Sequence, residues 1–284
     1  MSEQEQPGAV YTFGRVKYDF STRTFLMGIL NVTPDSFSDG GRFMDLEKAV
    51  EHARELERNG ADFIDVGGES SRPGSQPVTA DEEIRRVVPV IKRVSREVSI
   101  PVSVDTTKSI VAREALRAGA LIVNDISGLR YDAAMPKVIA DHSASAVLMH
   151  MKGEPRTMQR DPHYDDVVGE VATFLQRQAE VAQQAGVKQI ILDPGIGFGK
   201  TLDHNVALIR HLRAFLELGY PVLVGPSRKS FIGAILDLSV GERLEGTAAA
   251  VTACVLNGAS IVRVHDVKEM KRVVRVADAI GKRG

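Results

Sequence analysis

The chain has 284 residues, 43% of them hydrophobic, and 36 basic side chains balance 37 acidic ones to a net charge of −1. That is ordinary globular composition, enough for one large α/β barrel or two smaller domains, and it argues against a general nucleic-acid coat. The single cysteine, Cys254, excludes an intrachain disulfide. It fits a reducing cytosol and reads as a buried structural thiol in an apolar helix.

The opening MSEQEQPGAV is acidic and has no apolar core, so it does not read as a signal peptide, and no apolar run is long enough to span a bilayer. VYTFGRVKYDFSTRT, about residues 9–24, is expected to form a hairpin closing the bottom of a barrel. Eight short runs rich in Val, Ile and Leu follow: FLMGILN (25–31), DFIDVGG (62–68), PVSVD (101–105), LIVND (121–125), SAVLMH (145–150), QIILD (189–193), PVLVG (221–225) and SIVRVH (260–265). Runs this short and this apolar suit parallel strands covered by helices.

The segments between them read as helices. TADEEIRRVVPVIKRV opens on Thr79 with Glu82 three residues later, the spacing of a capping box, and Pro89 predicts a kink. TTKSIVAREALRAGA ends in a helix stop at Gly119. HYDDVVGEVATFLQRQAEVAQQAG closes at Gly186, and GTAAAVTACVLNGA at Gly258. KEMKRVVRVAD reads as an amphipathic outer helix with a solvated charged face. Eight βα units of about 30 residues predict a single-domain TIM (β/α)8 barrel covering the whole chain. The alternative, an open doubly wound sheet, usually has fewer strands.

A barrel of this kind places its active site at the C-terminal ends of the strands. Those ends carry Asn31, then Asp65 leading to Glu69, Ser70, Ser71 and Arg72, then Asp105, then Asn124 and Asp125, His150, and Asp193. The seventh is followed by Ser227, Arg228, Lys229 and Ser230, and the eighth carries Arg263 and His265. One Asp or Asn at a strand end is ordinary; eight polar ends together are not, because buried carboxylates need partners. Asp105, Asn124 and Asp193 present acceptors and an amide to a planar N–H edge. Arg72, Lys229, Arg263 and His265, with a helix start after PSRKS, suit phosphate or carboxylate. A flat nitrogen heterocycle with an anionic tail fits both halves.

Other motifs read less directly. DPGIGFGKT nearly spells a P-loop, but Pro194 stands where the first glycine is required. Its glycines read instead as room for a ligand to approach the backbone, with Phe198 as a presented contact surface. HMKGEPRTMQRDPHY has the composition of a mobile loop, and His150 reads as a satisfied barrel-mouth histidine. His52, His142, His163, His204 and His211 lack metal-ligand spacing and read as solvated. TPDSFSDGG after the first strand joins turn formers to a bare Phe37, as a closing lid would.

MGILNVTPDSFSDGG, DVGGESSRPGS, SVDTTKSIVAREAL, VNDISG, LMHMKGEPRTMQ, LDPGIGFGKT, SRKSFIG and RVHDV, in this order over residues 26–267, together resemble bacterial dihydropteroate synthases, pterin-binding TIM barrels. The resemblance implies condensation of 6-hydroxymethyl-7,8-dihydropterin pyrophosphate with 4-aminobenzoate in folate synthesis, with Mg²⁺, a homodimer and sulfonamide inhibition. It implies that Asp105, Asn124, Asp193, Gly225 and Lys229 hold the pterin, that Arg263 stacks on it, and that Ile126 and Met149 wall it. Asn31 would meet Mg²⁺–pyrophosphate, with Ser71, Arg72, Arg263 and His265 on the anion. Phe37, Ser71, Arg72, Pro73, Phe198, Ser227 and Ser230 would form the 4-aminobenzoate pocket. Asp35, Lys229, Arg263 and His265 would act at the reacting centre, with loops 33–41 and 70–76 closing over the second substrate. Members commonly have Thr where this chain has Ser71, which keeps the hydroxyl and loses the methyl. Two rivals share the pterin barrel: a methyltransferase moving a methyl from a folate to a corrinoid protein, which should lack TPDSFSDGG and SRKS, and a non-catalytic pterin-binding barrel.

Overall fold

The computed structural model describes residues 10–32, 41–71 and 74–281, with the backbone alone for 41–45. All eight apolar runs form parallel strands: β3 (Phe25–Asn31), β4 (Phe63–Gly67), β5 (Val102–Asp105), β6 (Ile122–Asp125), β7 (Ser145–Met149), β8 (Ile190–Asp193), β9 (Leu223–Val224) and β10 (Ile261–Val264). They pair in the order β8-β7-β6-β5-β4-β3-β10-β9. The ring closes between β8 and β9 through the Leu192–Val222 bridge, where Leu192 N–H donates to the Pro221 carbonyl at 2.9 Å. This is the expected barrel, and no open sheet edge remains to make a doubly wound crevice.

Ten helices cover the described barrel: α1 (Gly41–Arg58), α2 (Ala80–Glu97), α3 (Ser109–Ala118), α4 (Met135–Asp141), α5 (Val167–Gln184), α6 (Leu202–Arg210), α7 (Arg213–Leu216), α8 (Ser230–Leu236), α9 (Leu244–Leu256) and α10 (Val267–Ile280). Among the described residues no helix is long and apolar enough to cross a membrane. Gly119, Gly186 and Gly258 follow α3, α5 and α9 as expected. α2 continues through Pro89 as one helix, with Val87, Val90, Ile91 and Val94 buried against the barrel. One detail of α2 differs from expectation. Thr79 caps Glu82 N–H, but the Glu82 carboxylate turns to Arg85 and Arg86 instead of completing the box. A reciprocal capping box forms at α6 between Thr201 and His204, so His204 is structural and not merely solvated.

Strand residues alternate between two cores. Ile64, Val66, Val102, Val104 and Val123 point outward into the helical layer. Met27, Phe63, Ile122, Val147, Ile191, Leu223 and Ile261 point inward. The hairpin of β1 (Val10–Phe13) and β2 (Val16–Asp19) plugs this inner layer from below with Tyr11, Phe13, Tyr18 and Phe20. Phe63 stands against Tyr18 at 4.7 Å and Phe13 at 5.2 Å between ring centres. Tyr11 Oη donates to the Ile190 carbonyl at 2.8 Å, which ties the plug to the start of β8. Cys254 lies fully buried in α9, where burial pushes its thiol up to about 12, so it is the inert thiol expected.

Candidate active site

With the floor filled by aromatics, polar side chains on the inward positions nearer the strand C-termini have only each other for partners. The register aligns Asn31 with Gly67, Gly67 with Asp105, and Asp105 with Asn124 around one side of the mouth. Arg263, from β10, crosses it. Its Nε donates to Asp65 Oδ2 at 2.6 Å and an Nη donates to Asp105 Oδ2 at 2.9 Å. Asn124 Nδ2 also donates to Asp65 Oδ2, at 2.8 Å. An ionised carboxylate only accepts, so Asp65 fixes which way the Asn124 amide points. Asn124 Oδ1 is left buried and without a hydrogen-bond partner among the described residues. Burial, with Asp65 adding to it and Arg263 opposing, raises Asp105 well above the ordinary carboxylate range.

Asp193 ends β8, and its Oδ1 accepts the Gly195 N–H at 2.7 Å. Burial raises it to about 6, against the Gly195 bond and the charges of Lys229 and Lys200. Burial and the charge of Arg263 bring Lys229 down to about 8, and its ammonium sits 3.9 Å from the centre of the Phe198 ring. Ser227 Oγ lies 3.0 Å from His265 Nδ1 and accepts the His265 backbone N–H at 3.3 Å. Burial first, then Arg263 and Arg228, lowers His265 to about 4, so it is neutral near pH 7. Arg228, at φ +57°, forks onto Asp266, and Ser230 opens α8 exposed to solvent.

The loop after β8 corrects one expectation. Gly195 and Gly199 have φ of +71° and +63°, and a Cβ there would meet the carbonyl oxygens of His150 and Lys152 at 1.9 and 2.2 Å. These glycines admit the neighbouring loop's backbone instead of opening a path for a ligand. Phe198 is 8% exposed and packs with Met149, Met151, Met158 and Ile126, so it is a wall and not a projecting surface. Lys200 is buried, with Nζ 3.0 Å from His150 Nδ1; His150 is the satisfied histidine expected.

Beside the mouth, Lys108 bridges Glu69 and Glu83, the latter at 2.6 Å, and anchors the base of the β4–α2 loop that bears the half-buried Ser71. Asn31 is half-buried, and its Oδ1 and Asp105 Oδ2 each lie 3.7 Å from where a Cβ on Gly67 would sit. Among the described residues no cluster of three or more His, Cys, Asp and Glu could hold a metal alone. Asp35, Phe37, Arg72 and Pro73, and most of the 33–41 loop, lie outside the described residues.

The structure therefore gathers Asp105, Asn124, Asp193, Lys229, Arg263 and His265 at one end of the barrel. It adds two residues given no site role by sequence reasoning, Asp65 and Lys200. Asp65 carried a usable signal, a charged residue at an inward-facing position two before Gly67; Lys200 was hidden in the false P-loop.

The family of pterin binding enzymes matches residues 27–265. The dihydropteroate synthase of Synechocystis sp. is 49% identical over 270 residues, 94% of this chain and 93% of that protein. A crystal structure of Clostridium difficile dihydropteroate synthase in the presence of pteroic acid is similar with a TM-score of 0.88 and 47% identity, covering 94% of this chain and all of that one. The Xanthomonas albilineans enzyme with 4-aminobenzoic acid gives 0.89 and 42%, covering 96% and 98%. By this family match and by identity across almost its full length, the chain belongs to the dihydropteroate synthase family of pterin-binding enzymes.

Proposed function

We propose that the protein joins 6-hydroxymethyl-7,8-dihydropterin pyrophosphate to 4-aminobenzoate, releasing pyrophosphate and giving 7,8-dihydropteroate for folate synthesis. The observation that carries this reading is the pairing of unspent acceptors with buried cations in one barrel mouth. Among the described residues Asn124 Oδ1 has no hydrogen-bond partner, Asp105 spends one oxygen on Arg263, and Asp193 spends one on a backbone N–H. Together they suit the N–H-rich edge of a pterin, with Arg263 stacking on the ring, Lys229 and Gly225 at its border, and Ile126 and Met149 as walls. Arg263, His265, Ser71 and Arg72 take the pyrophosphate. Phe198 and Ser230 are the described part of the arylamine pocket, which Phe37 and Pro73 would complete, while the Ser227 hydroxyl beside them is spent on His265.

An arylamine is a weak nucleophile that is already neutral at pH 7, so a strong general base is not required. The harder task is the departure of pyrophosphate from the exocyclic methylene. An electron-rich pterin stabilises the cation left behind, and the C–O bond breaks before the C–N bond forms. The proton lost from the amine leaves with solvent or with pyrophosphate. Arg263 and His265 stabilise the charge developing on the leaving group, and Asp105 and Asp193 stabilise the pterin cation. The same reading gives residues 33–41, including Asp35, which lie outside the described residues, the task of excluding water that would otherwise trap the cation as an alcohol.

Mg²⁺ binds hard oxygens, takes few protein ligands and completes its shell with phosphate and water, so Asn31 Oδ1 beside Asp105 fits it. When bound, it supplies further positive charge to the leaving pyrophosphate. The same reading carries a homodimer in the cytoplasm and inhibition by sulfonamides competing for the arylamine pocket. The test is pyrophosphate release that requires both the pterin pyrophosphate and 4-aminobenzoate. Release independent of the arylamine would reduce the assignment to a pterin pyrophosphatase.

A further inference from the structure

We infer that Lys200, unused in the proposed chemistry, is a positioning residue that sets the Phe198 wall of the arylamine pocket by tying the loop after β7 to the loop after β8. The inference rests on the reading of Phe198 as an arylamine contact.

Lys200 is 2% exposed. Its Nζ reaches three acceptors: His150 Nδ1 at 3.0 Å, the His150 carbonyl at 3.3 Å and the Phe198 carbonyl at 3.0 Å. Burial lowers Lys200 to about 7, so near neutral pH it serves these three partners either as an ammonium donating to each or as an amine donating to two of them. All three partners are uncharged, the imidazole because burial and the charge of Lys200 push His150 down to about 2. A methionine would fill the same volume without the cost of burying a charge, so what the ammonium adds is these bonds and a share of the positive charge that opposes burial at Asp193.

Their placement gives them a purpose. Asn205 Oδ1 accepts Gly197 N–H at 2.6 Å, and Gln159 Nε2 donates to the Gly197 carbonyl at 2.7 Å, so the loop is already held one residue earlier. Lys200 holds the carbonyl of Phe198 itself. The Phe198 ring in turn carries the ammonium of Lys229. Without Lys200 the loop stays attached at Gly197 and, through Tyr164 Oη, at the Gly199 carbonyl, and Phe198 keeps its N–H on the Gly195 carbonyl at 3.1 Å. What it loses is the bond to its own carbonyl, the one that ties Phe198 to the loop after β7.

Steady-state kinetics on the full chain test this with Lys200→Met and Lys200→Gln, the second keeping two N–H donors. Lys200→Met should raise KM for 4-aminobenzoate about tenfold, the scale of one or two lost hydrogen bonds. Measured at pH 8, where Asp193 is ionised with or without the Lys200 charge, KM for the pterin pyrophosphate should stay within about twofold, and Lys200→Gln should fall between wild type and Lys200→Met. An unchanged arylamine KM, or both KM values rising by one factor, overturns the proposal. Failure of both variants to fold also overturns it, because Lys200 is then needed for folding and not for placing one wall. Wild-type protein that forms no dihydropteroate would instead defeat the functional reading, which separates the two failures.

Discussion

Arg263 Nε donates to Asp65 Oδ2 at 2.6 Å, across 198 residues of sequence, and Asp65 has no side-chain exposure. The same oxygen accepts Asn124 Nδ2. One carboxylate thus fixes a guanidinium and an amide that the proposed reaction uses. Asp65→Ala leaves the Asn124 NH₂ buried and bare and leaves Arg263 with Asp105 alone. Removing one partner of a buried pair costs about 3–5 kcal/mol, or a Tm lower by roughly 10 °C in a chain of this size. Asp65→Asn can turn its amide oxygen to both donors, which reach the one Oδ2, but it removes the charge opposite Arg263 and should lose about half as much. Thermal unfolding checks both, and a Tm within 2 °C of wild type for Asp65→Ala would show that Arg263 does not depend on it.

Asp193 and Lys229 set opposite limbs of a pH profile. The Asp193 carboxyl is raised to about 6, and its charged form is the one that accepts pterin N–H groups. Pterin affinity should therefore weaken as pH falls through about 6, reaching about tenfold weaker one unit below. Lys229 is lowered to about 8 and loses its charge as pH rises through that value, so affinity should also decline on the alkaline side. Asp193→Asn should weaken pterin binding at pH 7 by about 10- to 100-fold and leave only the acidic limb set by Asp105, which burial also raises. Calorimetric titration from pH 5 to 9 reads all of this, and near-normal pterin affinity in Asp193→Asn would remove the residue from the site.

The floor and the mouth of the barrel should separate in their responses. Phe63 is fully buried between Phe13 and Tyr18, one inward layer below Asp65 on β4. Phe63→Ala should cost about 3–5 kcal/mol, as truncation of a buried Phe does. Turnover per folded molecule at 25 °C should remain within twofold of wild type. A large fall in kcat with unchanged stability would mean that the plug communicates with the mouth.

Much of this arrangement was legible in the sequence, for a physical reason. A buried parallel strand must be apolar along its length, so β3 and its seven companions stood out as short runs with polar ends. The runs at Phe25–Asn31 and 121–125 match the strands to within a residue. Pairings across the mouth were not legible, because Arg263 meets Asp65 only once β10 and β4 flank β3 in a closed ring. The burial of Phe198 is hidden in the sequence for a similar reason: it comes from Met149 at the end of β7 and from Met151 and Met158 in the loop after it. The glycines of GIGFGK looked ligand-facing because nothing in the sequence shows the carbonyls of His150 and Lys152 pressed against them.

Ser227 and His265 give the most discriminating prediction. Ser227 Oγ accepts the His265 backbone N–H, so its one proton is free to go to Nδ1, 3.0 Å away. With Nδ1 accepting, the proton of the neutral ring sits on Nε2. His265 is lowered to about 4, so this single donor, and not a second positive charge, is what the ring offers an anion across the working pH range. Ser227→Ala releases Nδ1 and lets the ring proton occupy either nitrogen. Product inhibition by pyrophosphate should weaken about three- to fivefold, the scale of one hydrogen bond of about 1 kcal/mol. KM for 4-aminobenzoate should hold within twofold, since Ser227 is 4% exposed and its hydroxyl is engaged by His265. The opposite pattern, a raised arylamine KM with unchanged pyrophosphate inhibition, would place the Ser227 hydroxyl on the arylamine and return His265 to a ring oriented by something else.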